Sequence, residues 1–118
     1  MAQSTLVLVT KPPYGLEEAF AGLRLALAMA VNGMKTTVVM MDDGVYNALA
    51  SQRPDAVSMP SNVEASTELY DFDVGVMVVR EDLAARGIDE SRLFEGLKVI
   101  PEADLRTLLA EHDVVTTF

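Results

Sequence analysis

The sequence contains no cysteine, and that absence excludes several kinds of chemistry from the chain itself. Disulfide scaffolds, zinc–thiolate sites and thiolate nucleophiles all require a cysteine sulfur. Tryptophan is also absent, and aromatic residues make up only 6% of the 118 residues. The hydrophobic core must therefore be built mainly from Val, Leu, Ala and Met.

Basic residues are scarce as well. The chain has 9 Lys and Arg residues against 18 Asp and Glu residues, which gives a formal net charge of -9. Binding to nucleic acid or to an anionic membrane surface relies on clustered basic residues. We therefore expect neither nucleic acid nor a membrane among the partners of this chain.

Long hydrophobic runs are missing too. The longest apolar stretch, around Leu23 to Val31, is too short to cross a bilayer. The first residues lack the charged-then-apolar pattern of a signal peptide. A length of 118 residues is typical of one domain. The sequence thus predicts a single cytoplasmic domain over residues 1–118.

Short apolar runs at residues 5–9, 35–41 and 73–79 have the composition of strands that are buried on both faces, as in parallel sheets. Residues 16–32 are rich in Ala and Leu and predict a helix that ends at Gly33. The remaining predicted elements are short helices over 45–50, from 59–62 to 69, and over 81–86, a break at 52–55, a strand over 98–100, a helix over 102–111 and a closing strand over 114–118.

The alternation of strands and helices predicts an α/β fold. A strand, a helix and a second strand in that order form a βαβ unit with a right-handed crossover. We expect a single open, mainly parallel sheet of about five strands with helices on both faces.

The helix predicted over 16–32 carries only three charged residues, Glu17, Glu18 and Arg24. A helix on the surface of a domain normally has a broader polar face. Two interpretations remain open: a well-buried helix rich in small alanines, or a helix whose outer face packs on another subunit. The residues assigned to such an oligomer face are Phe20, Leu23, Leu27 and Val31.

Ligands of open α/β sheets bind beyond the carboxyl ends of the strands. Three loops belong to that edge, at residues 11–15, 42–46 and 80–82. The first offers a lysine for an anion, but its two prolines donate no backbone N–H, so a structural turn is the alternative. The residues predicted to line a ligand site there are Lys11, Tyr14, Gly15, Asp43, Tyr46 and Arg80.

Three carboxylates near the same edge, Asp42, Asp43 and Glu81, form a candidate cluster for a hard cation or for acid–base chemistry. Acidic residues after a strand more often cap a helix or begin a turn. The residues alone thus predict no metal site, no cofactor and no catalytic residue.

The methionines and the single histidine have structural interpretations that compete with functional ones. Met40, Met41 and Met77 could form a thioether site, but neighbouring strand residues point to opposite faces, which favours core filling. His112 follows the last predicted helix, where an imidazole complements the helix dipole.

Four stretches of the chain together resemble one known family. They are residues 11–15 (Lys-Pro-Pro-Tyr-Gly), 42–48 (Asp-Asp-Gly-Val-Tyr-Asn-Ala), 68–71 (Glu-Leu-Tyr-Asp) with 83–88 (Leu-Ala-Ala-Arg-Gly-Ile), and 112–118, a final strand closing on Phe. In order and spacing they are similar to the DsrE/DsrF-like family of small sulfur-relay proteins, which includes TusD and TusC. The Tyr-Asp stretch and the Arg-Gly turn resemble the TusC/DsrF branch in particular.

The resemblance places a valine where relay members of the family carry a cysteine. That cysteine lies eight residues before the glycine of the Arg-Gly turn, and counting back from Gly87 reaches Val79. Without a thiolate, direct persulfide transfer by this chain is excluded. The resemblance further implies assembly into trimers or hexamers, since family members assemble from identical or related chains and some subunits lack a working cysteine.

The sequence therefore predicts a non-catalytic DsrE-like subunit that assembles with itself or with related DsrE-like subunits. It would form a docking surface for a sulfur carrier or a dependent enzyme in sulfur relay or sulfur oxidation. The alternative is a module that binds a small molecule or an anion at the carboxyl edge of the sheet. A metal-dependent hydrolase is disfavoured, because no base, nucleophile and orienting residue can be assembled from the sequence.

Overall fold

A computed structural model describes residues 4–13, 18–50 and 62–118. These residues form one five-stranded sheet in the order β4-β3-β2-β1-β5, with every neighbouring pair of strands parallel. The predicted fold class is confirmed. The strands are β1 (Ser4–Val9), β2 (Lys35–Met40), β3 (Gly75–Val79), β4 (Lys98–Ile100) and β5 (Val114–Thr117).

Helices connect the strands on both faces of the sheet. The α-helices are α1 (Glu18–Val31), α2 (Asn62–Glu68), α3 (Arg80–Ala85) and α4 (Glu102–Glu111), and 3₁₀ helices span Asp42–Ala48, Leu69–Phe72 and Glu90–Arg92.

The helix predicted over 45–50 begins earlier and is of a different type. It is the 3₁₀ helix Asp42–Ala48, and Leu49 instead forms a bridge with Leu93. The tighter helix starts directly after β2 because the backbone N–H of Gly44 donates to the carbonyl of Met41 at 2.8 Å. The first two residues of the predicted first helix, the predicted break at 52–55 and the start predicted at 59–61 lie outside the described residues.

The two faces of the sheet carry separate apolar clusters. Alternate residues of β1, β2 and β3 point toward α1 and are almost completely buried, as Val9, Val38 and Val78 illustrate; we call this the α1-side core. The intervening residues point toward α4. Together with one residue of β4 and one helix residue they form the α4-side cluster: Leu6, Leu8, Val39, Val79, Ile100 and Leu105. Burial on both faces explains the continuous apolar runs in the strands.

The structure corrects one of the four residues of the predicted oligomer face on α1. Leu23 is only 1% exposed and belongs to the α1-side core, so it cannot lie on an outer face. Phe20 and Leu27 are partly buried and pack against the same core. Only Val31, at 60% exposure, stands clearly in solvent. Four residues of the 14-residue helix are buried, Ala19, Gly22, Leu23 and Ala26, and an oligomer face on the other residues stays a prediction.

Candidate functional site

The carboxyl edge of the sheet is held by a buried asparagine. Asn47 is fully buried, and its amide nitrogen donates to the carbonyl oxygens of Lys11 and Gly44, both at 2.9 Å. The 3₁₀ helix approaches β1 so closely that a Cβ atom on Gly44 would lie 1.8 Å from the carbonyl oxygen of Val9. The loop after β1 and the segment after β2 are thus fixed to one another.

A hydrogen-bonded network joins the segment after β2 to α3. The guanidinium of Arg86 donates through Nε to Asp43 Oδ1 at 3.1 Å and through Nη1 to the carbonyl of Asp82 at 3.2 Å. The Asp82 carboxylate accepts the backbone N–H of Asp42 at 2.8 Å, and Asp42 itself has a positive φ of 50°. Asp43 is therefore part of a structural ion pair, and sequence reasoning missed its partners.

A second arginine at this edge is also paired. Arg80 Nε lies 3.5 Å from the Glu90 carboxylate, and both side chains are about half exposed. They line a cavity of about 290 Å³ together with Asp89. The Asp89 carboxylate accepts the backbone N–H of Ser91 at 2.8 Å, which holds the pKa of that carboxyl below its usual value. The cavity rim is thus more acidic than basic.

The predicted ligand edge is only partly assembled from the residues assigned to it. Lys11 is exposed and Tyr46 packs partly against the α1-side core. Tyr14 and Gly15 lie outside the described residues. Since both Asp43 and Arg80 are engaged by partners of opposite charge, an anion site at this edge remains a prediction.

The candidate carboxylates of Asp43 and Glu81 make separate contacts. The carboxylate of Glu81 accepts the backbone N–H of Glu102 at 2.9 Å and so caps the start of α4. Within the described ranges, no three His, Asp or Glu side chains are placed to hold one metal ion. A groove of about 700 Å³ opens beside this cap, lined by Glu81, Glu102, Ala103, Leu105, Arg106 and Leu109.

Comparison with known proteins decides the family. The model of the DsrE/DsrF-like family matches residues 3–118. The chain belongs to the DsrE/DsrF-like family. This confirms the family that the motifs at residues 11–15, 42–48, 68–88 and 112–118 had indicated.

Several relatives cover nearly the whole of this DsrE-like chain. An uncharacterized protein of Methanocaldococcus jannaschii is 34% identical over 112 residues, covering 95% of this chain and 96% of the relative. The intracellular sulfur oxidation protein DsrF of Allochromatium vinosum is 29% identical, covering 92% and 90%. Protein TusC of Escherichia coli O8 is 32% identical, covering 90% and 91%. Among solved structures, the ychN protein of Escherichia coli superposes with a TM-score of 0.89 at 25% identity, covering 98% of this chain and 99% of that one.

The position assigned to the family cysteine is buried in this DsrE-like chain. Val79 is 1% exposed and its side chain belongs to the α4-side cluster, with Val39, Ile100 and Leu105. The next residue, Arg80, is exposed. A sulfur atom at position 79 would therefore be shielded from solvent by the sheet and by α4.

The methionines fill the core on both faces of the sheet. Met40 is fully buried in the α1-side core, whereas Met41 and Met77 pack partly buried against the α4-side cluster. Neighbouring Met40 and Met41 thus point to opposite faces, as predicted.

The histidine at the end of α4 has a structural role. Nδ1 of His112 lies 2.7 Å from the carbonyl oxygen of Leu108, and Nε2 lies 3.0 Å from Thr37 Oγ1. A carbonyl can only accept, so Nδ1 donates to Leu108, and Nε2 pairs with the threonine hydroxyl, which can donate or accept. The ring thereby ties the end of α4 to β2.

In the described part of the chain, no helix is long and apolar enough to cross a membrane.

Proposed function

We propose that this chain is a non-catalytic subunit of a sulfur-relay or sulfur-oxidation complex, which assembles with itself or with related DsrE-like subunits. One observation carries the proposal: a chain of this family has no cysteine at all. The residue that the sequence analysis assigned to the position of the family cysteine, Val79, is buried. Because thiolate sulfur is the group that attacks and carries sulfur, the chain cannot carry the sulfur itself, and we infer an architectural contribution.

The names of two relatives support the sulfur pathway. One relative is an intracellular sulfur oxidation protein, DsrF, and another is TusC, and both align along about nine-tenths of this chain. Similarity to these two relatives supports a role as a subunit that holds other chains in position.

The carboxyl edge supports a docking role. It is held rigid by the buried Asn47 and by the contacts of Arg86 with Asp43 and Asp82. A rigid surface loses little entropy when a partner binds. Beside it, the groove that runs along α4 from Glu102 exposes Leu109 at 39%, together with charged residues. An apolar centre with a charged rim is typical of protein-binding surfaces.

Native mass spectrometry of the tagged chain, purified gently from its own cells, tests the proposal. We expect a mixed assembly with a cysteine-bearing DsrE-like chain or a sulfur-handling protein. Recovery of the chain without any such partner would count against the heteromeric function.

A matched pair of variants tests the groove. Leu109→Glu places a charge at the exposed apolar position of the groove, and Ala110→Glu places the same charge on the neighbouring exposed residue, which is not among the groove residues. We expect the first to reduce recovery of the sulfur-handling partner at least about tenfold, since a buried unpaired charge costs more than about 1.4 kcal/mol, and the second to leave it unchanged. Equal recovery with both variants would remove the groove from the docking surface.

A further inference from the structure

The two edge strands of the sheet differ in how they are protected. β4, at one edge, is only three residues long and includes the exposed Lys98. Short length and lysine are common protections of an edge strand against pairing. β5, at the other edge, consists of Val-Val-Thr-Thr, without charge, proline or bulge. Its Val114 and Val115 are 37% and 40% exposed.

The outer side of β5 presents backbone groups to a further strand. The backbone N–H of Phe118 donates to the carbonyl of Leu8 at 2.8 Å, and the carbonyl of Phe118 accepts the N–H of Thr10 at 2.6 Å. Both backbone groups of Phe118 therefore face β1. Because every second residue of a strand faces the same neighbour, Thr116 also faces β1. Val115 and Thr117 therefore direct their N–H and C=O groups outward. Within the described ranges, no strand pairs with that side.

Both ends of β5 are fixed. At its start, the Asp113 carboxylate accepts the backbone N–H and the hydroxyl of Ser4 at 3.2 and 3.3 Å. At its end, the Phe118 carbonyl also accepts the Thr10 hydroxyl at 2.7 Å. A strand that is already extended and fixed at both ends loses little conformational entropy when another strand pairs with it.

We propose that the outer edge of β5 pairs with the same strand of a second copy of this chain, antiparallel, about a two-fold axis at Thr116. This inference rests on the proposed function, because it assigns a surface to the self-assembly proposed there. In this register Val115 pairs with Thr117 of the second copy, and each pair exchanges two backbone hydrogen bonds. Thr116 meets Thr116 on the opposite face, and pairs of β-branched residues stabilise neighbouring strands.

Charge selects this orientation. Antiparallel pairing places the two copies of Asp113 and of Glu111 at opposite ends of the joined strands, whereas parallel pairing would bring them together. Each copy carries a formal charge of -9, so the copies repel one another at long range. We therefore expect the dimer to strengthen as salt rises from about 10 mM to about 150 mM.

Sedimentation velocity of the purified full chain, over a range of concentration and at both salt levels, tests the proposal. Thr117→Pro removes an N–H that points outward and leaves the ladder to β1 intact, whereas Thr117→Val keeps that N–H. Val115→Lys adds an edge charge, and Ala110→Lys adds the same charge on α4. Loss of one hydrogen bond from each of two symmetric pairs should weaken the dimer on the order of 5- to 150-fold. We expect Thr117→Pro to weaken it by this factor and Thr117→Val to leave it unchanged. Val115→Lys should give a weaker dimer than Ala110→Lys, because the two variants carry the same net charge and differ only in whether the lysine lies on the edge strand.

Two results would overturn the edge pairing. One is a wild-type chain that stays monomeric under all these conditions, and the other is an oligomer that Thr117→Pro and Val115→Lys leave intact while circular dichroism shows them folded. If the oligomer survives both substitutions, the chain self-assembles through another surface. If the wild-type chain is monomeric, native mass spectrometry of the assembly from cells still tests the proposed function independently.

Discussion

The burial of Val79 predicts slow labelling of a thiol introduced at that position. Because the chain has no cysteine of its own, the introduced thiol is the only one that reacts. Val79→Cys introduces a single thiol of similar size, at a cost expected to be below about 1.5 kcal/mol. Arg80→Cys is the matched control, since it moves the thiol by one residue to a side chain that is 53% exposed. The control also removes an exposed ion pair, which contributes only about 0–1 kcal/mol.

The structure gives the size of the expected difference. At 1% exposure, the residue at position 79 reacts only when the α4-side cluster opens. An opening free energy of about 3 kcal/mol, modest for a core strand, slows labelling by on the order of 100-fold. We therefore expect Val79→Cys to react with a maleimide at least about 100-fold more slowly than Arg80→Cys.

The assay is a time course of maleimide labelling followed by mass spectrometry, first under native conditions and then in urea. In urea the two thiols should react at similar rates, which shows that the native difference comes from the fold. Native rates within about threefold of each other would refute the buried placement of position 79. Slow labelling would mean that a cysteine introduced at position 79 of the isolated chain is not accessible to a sulfur donor.

Three further substitutions test the packing, each by urea unfolding. Gly44→Ala places a Cβ atom 1.8 Å from the Val9 carbonyl oxygen and should destabilise the fold by about 2–4 kcal/mol, whereas a change below about 0.5 kcal/mol would contradict the close approach. Thr5→Val removes a buried hydroxyl that has no hydrogen-bond partner and should stabilise by about 1 kcal/mol, so a loss of stability would show that the hydroxyl is satisfied. Burial raises the pKa of Tyr70 above its usual value; the neutral phenol thus favours the folded state, and this stability is complete below about pH 10 and is lost as pH rises through the folded pKa. Tyr70→Phe should remove that alkaline loss, and an unchanged pH profile would contradict it.

The strands were predictable because parallel strands buried on both faces leave a continuous apolar pattern. Residues 5–9 and 35–41 were expected as strands, and β1 and β2 differ from them by one residue each. The helix type after β2 was not predictable. The 3₁₀ helix there places Gly44 against β1, a contact between segments far apart in the chain.

The candidate site was only partly predictable for the same reason. Asp43 was named, but its ion pair with Arg86 crosses 43 positions of sequence. The spacing of Asp82 and Arg86, four residues apart, was a visible helix-pair signal that was not used. On α1, apolar character alone could not distinguish Leu23 in the core from Val31 in solvent, because the helix is apolar on nearly all sides.

The sequence by itself determined the chemistry that this chain lacks and the family to which it belongs. The absence of cysteine is a property of composition, and motif order and strand pattern are local properties that persist in any correct fold. The tertiary structure alone decided which apolar residues remain exposed, how the edge carboxylates are paired, and that Val79 is buried beneath α4. Those features depend on which side of each strand and helix meets another element, and packing rather than composition fixes that choice.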